Sequence, residues 1–220
     1  MDRQKKIFEN LTYGPFPSNL ATILFSSRME KGDVVNVSGN YRIQEPNYIL
    51  PDDERDWFEH DIILMLSLCG ERMDRGKLTK KVVNRYFVSV EIKTTERDIY
   101  KSTIDKYLGA TRLFFLAAPR GLLGAVIGRY RRHPWKEVIG LIDSDAGQVV
   151  VLPQVQDFQK DRCDRLLARC YTSTHRYPFC TPDAELYVPH RVILNDSTAP
   201  AWVDCDGLRV NADYLHYFRR

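Results

Sequence analysis

Apolar positions recur along this chain in short runs of different spacing, and the spacing predicts strands alternating with helices. Between residues 54 and 68, Phe58, Ile62, Met65 and Leu66 fall at helical intervals behind the acidic start Pro51-Asp52-Asp53-Glu54, which predicts an amphipathic helix ending before Gly70. Residues 73–81 and 86–93 read as a two-stranded element turning near Asn84. A helix over 96–108, stopped by Gly109, comes next, and then a strongly apolar strand over 113–118, closed by Pro119. Residues 122–130 read either as a helix or as an irregular connection, and 138–142 with 148–152 as a hairpin turning at 144–147. Upstream, Gly14, Pro15, Pro17, Gly32, Gly39 and Pro46 break the chain into short pieces, among them a short helix over 19–26 and a short strand over 33–37. Beyond Pro153 a charged helix over 156–169 leads into a tail rich in Tyr, Pro, Cys and His. This order predicts an α/β fold, a mixed central sheet flanked by helices. It divides the chain into an N-terminal extension (1–50), a core (51–153) and a C-terminal extension (154–220) packing on the core or a partner.

One strand carries an unexpected pair of charges. Side chains alternate along a strand, so in Val90-Glu91-Ile92-Lys93 the two charged residues share one face and the two apolar ones the other. A carboxylate and an ammonium are costly to bury on a strand otherwise rich in Val, Ile, Tyr and Phe. Chemistry justifies such a cost where the carboxylate holds a divalent cation and the lysine positions water or offsets charge on a phosphate. The plain reading is a Glu-x-Lys on an exposed strand edge.

Composition changes this picture little. The 220 residues are 44% hydrophobic and 28% charged, with 32 Lys+Arg against 29 Asp+Glu for a net charge of +3. Basic residues cluster at Lys77, Lys80, Lys81 and Arg85, and again at Arg129, Arg131, Arg132 and Lys136. Both clusters offer phosphate contacts, with Lys80, Lys81, Arg131 and Arg132 the nucleic-acid candidates, although solvated basic loops are the plainer account. No stretch is long and apolar enough to span a bilayer, and no signal-like apolar run follows Met1-Asp2-Arg3-Gln4-Lys5-Lys6, so the expectation is a cytoplasmic protein without a membrane partner.

The run from Val90 to Ile99, then Lys106-Tyr107, then Leu113-Phe114-Phe115-Leu116-Ala117-Ala118-Pro119, resembles the PD-(D/E)XK nuclease superfamily, in particular the MmcB-like DNA-repair endonucleases. The resemblance covers about residues 54–153. It implies a restriction-endonuclease-like core and metal-dependent hydrolysis of phosphodiester bonds in DNA, with Mg²⁺ or Mn²⁺ as cofactor. Asp74, on the strand before the Glu-x-Lys strand, would be the first metal-binding acid, or else a turn residue. With Glu91 and the Ile92 carbonyl it would hold the metal, and Lys93 would orient the attacking hydroxide. Auxiliary candidates are Glu59 (or Asp61 beside it) on the preceding helix, Asp98 after the motif, and Lys101 or Lys106 further along that helix. Solvated helix faces are the alternative for Glu59, Asp61 and the two lysines.

Cys163, Cys170, His175 and Cys180 lie within a short span without a Cys-x-x-Cys knuckle, so scattered thiols are favoured over a zinc site, and over an iron–sulfur cluster completed by Cys69. Nothing in the neighbourhood of these cysteines and His175 announces a Cys–His hydrolase. His133, beside Pro134 and Trp135, offers either base stacking or aromatic packing. The run Tyr214-Leu215-His216-Tyr217-Phe218 is too apolar to be left free and is expected to dock on the domain or, in a homodimer, on a second subunit. The leading alternative to an enzyme is a catalytically inactive nuclease-fold module that binds nucleic acid or a protein partner.

Overall fold

The computed structural model describes residues 3–46, 57–101, 104–157, 159–172, 190–192 and 200–219. Among them, nine strands form one mixed sheet flanked by helices, so the chain has the α/β architecture that its element order predicts. The elements in chain order are helices α1 (Arg3–Tyr13) and α2 (Pro15–Phe25), strands β1 (Val34–Pro46), β2 (Trp57–Asp74) and β3 (Lys77–Ile92), helix α3 (Glu96–Lys101), strand β4 (Leu113–Ala118), helix α4 (Leu123–Tyr130), strands β5 (Ile139–Asp143) and β6 (Gln148–Leu152), helix α5 (Lys160–Thr172), and strands β7 (His190–Val192), β8 (Trp202–Cys205) and β9 (Leu208–Asn211). Across the sheet the order is β7-β1-β2-β3-β4-β5-β6-β9-β8. β1, β2 and β3 form an antiparallel meander, β3, β4 and β5 run parallel, and the remainder is antiparallel.

The region predicted as a helix over 54–68 is a correction. From Trp57 onward it is the long strand β2, and the predicted helix start at 51–54 lies outside the described residues. The apolar run supports both periods at once. Ile62, Met65 and Leu66 fit a helical stripe, while Ile62, Leu64, Leu66 and Leu68 fit strict alternation. Alternation prevails because both faces of β2 are covered. Ile62, Leu64, Leu66 and Leu68 are buried with Leu11, Phe16, Leu20 and Phe25 of α1 and α2, while Ile63 is buried with Leu166 and Cys170 of α5.

The hairpin between β2 and β3 turns at Arg75 and Gly76, both with positive φ (49° and 78°), not near Asn84. That sign pattern is the tight hairpin turn whose twist matches its strands. Asn84 sits instead at a register shift, where Leu68 pairs with Asn84 and Cys69 with Val82. The helix predicted over 96–108 is also shorter. It divides into α3 and a separate 3-10 turn, Asp105–Tyr107. The strand over 113–118 and the hairpin over 138–152 form as expected, and 122–130 resolves as a helix.

A second apolar layer lies on the other face of the sheet. There Phe114, Leu116, Leu141 and Val150 pack against Val126, Ile127 and Tyr130 of α4, against Tyr214 of the C-terminal 3-10 turn (Ala212–Tyr217), and against Phe218 just after it. The apolar run 214–218 therefore docks on its own chain. No described helix is long and apolar enough to cross a membrane.

Candidate active site

Glu91 and Lys93 emerge at the end of β3 on the face that carries Phe87, opposite Leu116 of β4. Both side chains are almost completely buried, at 11% and 7% relative exposure, and Lys93 Nζ donates to Glu91 Oε1 at 2.7 Å. The other carboxylate oxygen, Oε2, is buried with no hydrogen-bond partner among the described residues. A buried carboxylate with one oxygen unsatisfied is costly unless another group completes it.

The acid beside Glu91 is Asp61, not Asp74. The β2–β3 ladder ends at the Ile62–Val90 pair, and one step beyond it the Asp61 carboxylate replaces a main-chain acceptor, taking the Ile92 N–H at 2.7 Å. Burial first, and the neighbouring Glu91 charge second, push the Asp61 carboxyl up to about 8. Asp74 stands at the far end of the same hairpin, where it pairs with Lys77 in register and with Lys81 Nζ at 2.5 Å, half-exposed. The assignment of Asp74 as the metal-binding acid rests on a shorter hairpin than the chain forms. The strand before Glu-x-Lys begins at Trp57, and its site end carries Asp61.

Other candidates divide in the same way. Glu59, two residues before Asp61 and on β2 instead of a helix, contributes to the charge felt by Asp61. Lys106 lies in the 3-10 turn facing the site. Burial lowers its pKa, against the raising influence of Glu91 and Asp61. Lys101 closes α3, and its side chain lies outside the described residues. Asp98 caps α3 instead. Its carboxylate accepts from Thr95 Oγ1 at 2.7 Å and from the Thr95 N–H at 3.1 Å, while its own N–H donates to Thr95 Oγ1. Those bonds, the Thr95 hydroxyl foremost, hold the Asp98 carboxyl below its ordinary value. Arg131 is engaged with the C-terminal region, donating to the Phe218 carbonyl and to Asp206 at 3.1 Å each. Lys80 and Lys81 are exposed on the distal hairpin, and Arg132 is exposed just beyond α4.

Of the residues packed around the site, Tyr107 belongs to the run that carries the resemblance, whereas His60, Arg162 and Gln156 do not. Tyr107 is buried, stacks on Phe114 (centroids 5.5 Å apart, 8° between planes) and meets the edge of His60. Burial, and then the Glu91 and Asp61 charges, push its hydroxyl far up, so it remains protonated. His60 Nδ1 in turn lies 2.8 Å from Ser89 Oγ. Arg162, buried on α5, donates to the Leu108 carbonyl at 2.8 Å and to that of Lys106 at 2.5 Å, fixing the turn that carries Lys106 and Tyr107. Gln156 pins the neighbouring segment through Gly109 and Thr111. One signal for Asp61 was present: Glu59-x-Asp61 inside an apolar run has the i, i+2 spacing of one strand face.

Among the described residues no three His, Cys, Asp or Glu side chains converge on a metal position. The donors available are the Asp61 and Glu91 carboxylates and the Ile92 carbonyl. That carbonyl points to the same side of β3 as the Ile92 N–H bonded to Asp61, since both polar groups of a strand residue face one neighbour. Two carboxylates and a carbonyl suit a hard, largely hydrated Mg²⁺ or Mn²⁺, and the orphaned Oε2 fits the same role. Among the described residues the cysteines form no alternative centre. Cys163 and Cys170 are buried in the apolar patch under α5, and burial pushes the Cys170 thiol up to about 12. Cys69 accepts a hydrogen bond from Asn36 on the β1–β2 pair, and His175 and Cys180 lie outside the described residues. Comparison with family models, curated proteins and solved structures gives no match, so the reading of this site rests on its own geometry.

Proposed function

We propose that this protein is a metal-dependent nuclease that hydrolyses phosphodiester bonds in DNA. The observation that carries this reading is the buried Asp61–Glu91 pair beside Lys93, with Glu91 Oε2 left unsatisfied. Asp61, Glu91 and the Ile92 carbonyl would hold Mg²⁺ or Mn²⁺, which when bound supplies positive charge against the phosphate and makes a water more acidic. Lys93 is a compact cation placed to orient the attacking water and to offset the charge that develops on the phosphate oxygens. The water gives up one proton to solvent as its oxygen bonds to phosphorus, the ester P–O bond breaks, and the leaving oxygen takes up a proton from solvent. Lys106 adds a second positive charge on the same side. Tyr107, kept neutral, gives the pocket an un-ionised hydroxyl and an aromatic wall.

The test is cleavage of labelled single- and double-stranded DNA with Mg²⁺ or Mn²⁺. Wild type should cut, Glu91→Gln and Asp61→Asn should each lose at least about a hundredfold, and Asp74→Ala should cut normally. Wild-type rates in Glu91→Gln would overturn the reading. Salt-sensitive DNA binding without cleavage by any variant would replace it with a binding module built on the same fold.

A further inference from the structure

The β2–β3 hairpin outruns the rest of the sheet. β2 keeps β1 beside it only as far as Cys69, opposite Val34, and β3 gains β4 only from Val88, opposite Leu113. The pairs from Gly70–Lys81 to Asp74–Lys77 have no further strand beside them among the described residues, and they form a two-stranded arm about 17 Å long. Its foot is braced. Arg72 donates through Nη1 and Nη2 to the buried Asp33 carboxylate just before β1, at 3.1 Å each. Only glycine fits beside that bond, since a Cβ at Gly70 would lie 2.0 Å from Asp33 Oδ1. Charge and apolar surface both concentrate on the arm. Six Lys and Arg stand against two acids between residues 71 and 85, an excess larger than the net +3 of the whole chain. Arg72 is committed to the brace and Lys81 to Asp74 at 2.5 Å. Arg75, Lys77, Lys80 and Arg85 are exposed. Met73 and Leu78 stand opposite one another across the ribbon at 68% and 63% exposure, with Val82 and Val83 exposed nearer its foot.

Lysines and a register shift also keep a free strand edge from pairing with a second copy, so two such arms are held apart by their own charge. Edge protection accounts for the cations but not for an apolar pair near the tip. A polyanion with a groove accounts for both. The major groove of B-form DNA, about 12 Å wide, admits a two-stranded ribbon, with apolar side chains on base edges and cations on the flanking phosphates. The major groove of duplex RNA is too deep and narrow for this, and a single strand has no groove. Resting on the reading of the Asp61–Glu91–Lys93 site as one that hydrolyses DNA, we propose that the 70–81 arm grips duplex DNA in its major groove, and that double-stranded DNA is the substrate class. Arg75, Lys77, Lys80 and Arg85 would meet phosphates, and Met73 and Leu78 the base edges.

Fluorescence anisotropy in EDTA, with a labelled blunt DNA duplex, the same single strand and a duplex RNA, tests the arm apart from the chemistry. Wild type should bind the DNA duplex most tightly. The triple variant Arg75→Gln, Lys77→Gln, Lys80→Gln should lose at least about tenfold on it, with a log affinity against log salt slope shallower by about 1 per phosphate contact removed. Met73→Ser with Leu78→Ser should weaken duplex binding about fivefold, leave that slope unchanged and narrow the preference over the other two ligands. Wild-type affinity and slope in the triple variant, equal binding of all three ligands by wild type, or no duplex binding would overturn the proposal. So would binding to phosphatidylserine vesicles, in place of duplex, that the triple variant loses, since it would assign the arm to a membrane surface. Arm-dependent duplex binding in a protein that never cleaves would remove the hydrolase and keep the arm. Cleavage that needs Glu91, with duplex affinity unchanged in the triple variant, would do the reverse.

Discussion

Asp61 is where the chemistry of the site bears most directly on stability. An unfolded Asp titrates near its ordinary value of 3.8, whereas the buried carboxyl next to Glu91 holds its proton up to about 8. Between those values the folded state binds more protons than the unfolded one, so this group's contribution becomes steadily less favourable as pH rises, and above about 8 its full penalty is present. In the metal-free protein, Asp61→Asn keeps an oxygen acceptor for the Ile92 N–H and abolishes the titration. Denaturation curves in EDTA should show wild type losing stability relative to Asp61→Asn by at most about 1.4 kcal/mol per pH unit across that window. Parallel pH dependences would show that Asp61 is not held protonated. Mg²⁺ should reverse the penalty. At a hundredfold excess over its dissociation constant it should stabilise wild type by about 2.7 kcal/mol and leave Asp61→Asn much less affected, a difference that thermal melts read directly. The sequence made Glu91 and Lys93 legible because a charged i, i+2 pair is conspicuous on an apolar strand. Asp61 stayed in the background because its strand carries an equally good helical stripe, and a carboxylate on a helix face needs no special account.

At the scale of the element, the same ambiguity explains what was read correctly and what was not. β4, β5 and β6 are short, apolar and bounded by Pro119 and by the turn at 144–147, and so they were legible. β2 is buried on both faces over much of its length, and a doubly covered strand loses the polar alternation that identifies a half-exposed one. α5 was legible as a charged helix, but its part in the site was not, since one buried arginine reaches back to carbonyls of a distant turn. Arg162→Met keeps the buried stem and removes both hydrogen bonds. It should cost about 1–3 kcal/mol in urea denaturation and lower cleavage further than that loss of folded protein explains, because Lys106 and Tyr107 lose their fixed turn. Unchanged urea midpoints would mean that water takes over both carbonyls and that α5 does not support the site.

For the molecule as a whole, the single sheet decides which parts stand or fall together. β1 from the first fifty residues and the β8–β9 hairpin from the last twenty-one belong to the same ladder as the strands of the site. The Asp206-Gly207 turn of that hairpin, with φ of 55° and 80°, is a strong hairpin signal, but its strands are short and carry Asp204 and Arg209, which hid them. Two register pairs, Val151–Val210 and Leu152–Arg209, join β9 to β6, and the Asn211 amide adds a bond to the Val149 carbonyl at 3.1 Å. The strongest tie lies at the end of β5. The fully buried Asp143 carboxylate accepts from Tyr214 at 2.8 Å, from Arg120 Nε at 2.9 Å, and from the N–H groups of Asp145 and Ala146 at 3.0 and 3.3 Å. Burial and the bond to Asp143 push the Tyr214 hydroxyl up to about 12, so it remains a donor throughout the ordinary pH range. Tyr214→Phe leaves the ring in its apolar layer and takes one donor from a buried carboxylate, which should cost about 1.5–3 kcal/mol. The loss should appear first where the tie acts. In hydrogen exchange, amides of β9 and of the 3-10 turn at Ala212–Tyr217 should open faster, while those of β2 and β3 at the site keep their protection. Uniform acceleration across the sheet would instead show that the C-terminal hairpin and strands β2 and β3 unfold as one unit, and that damage at Asp143 reaches the Asp61–Glu91 pair directly.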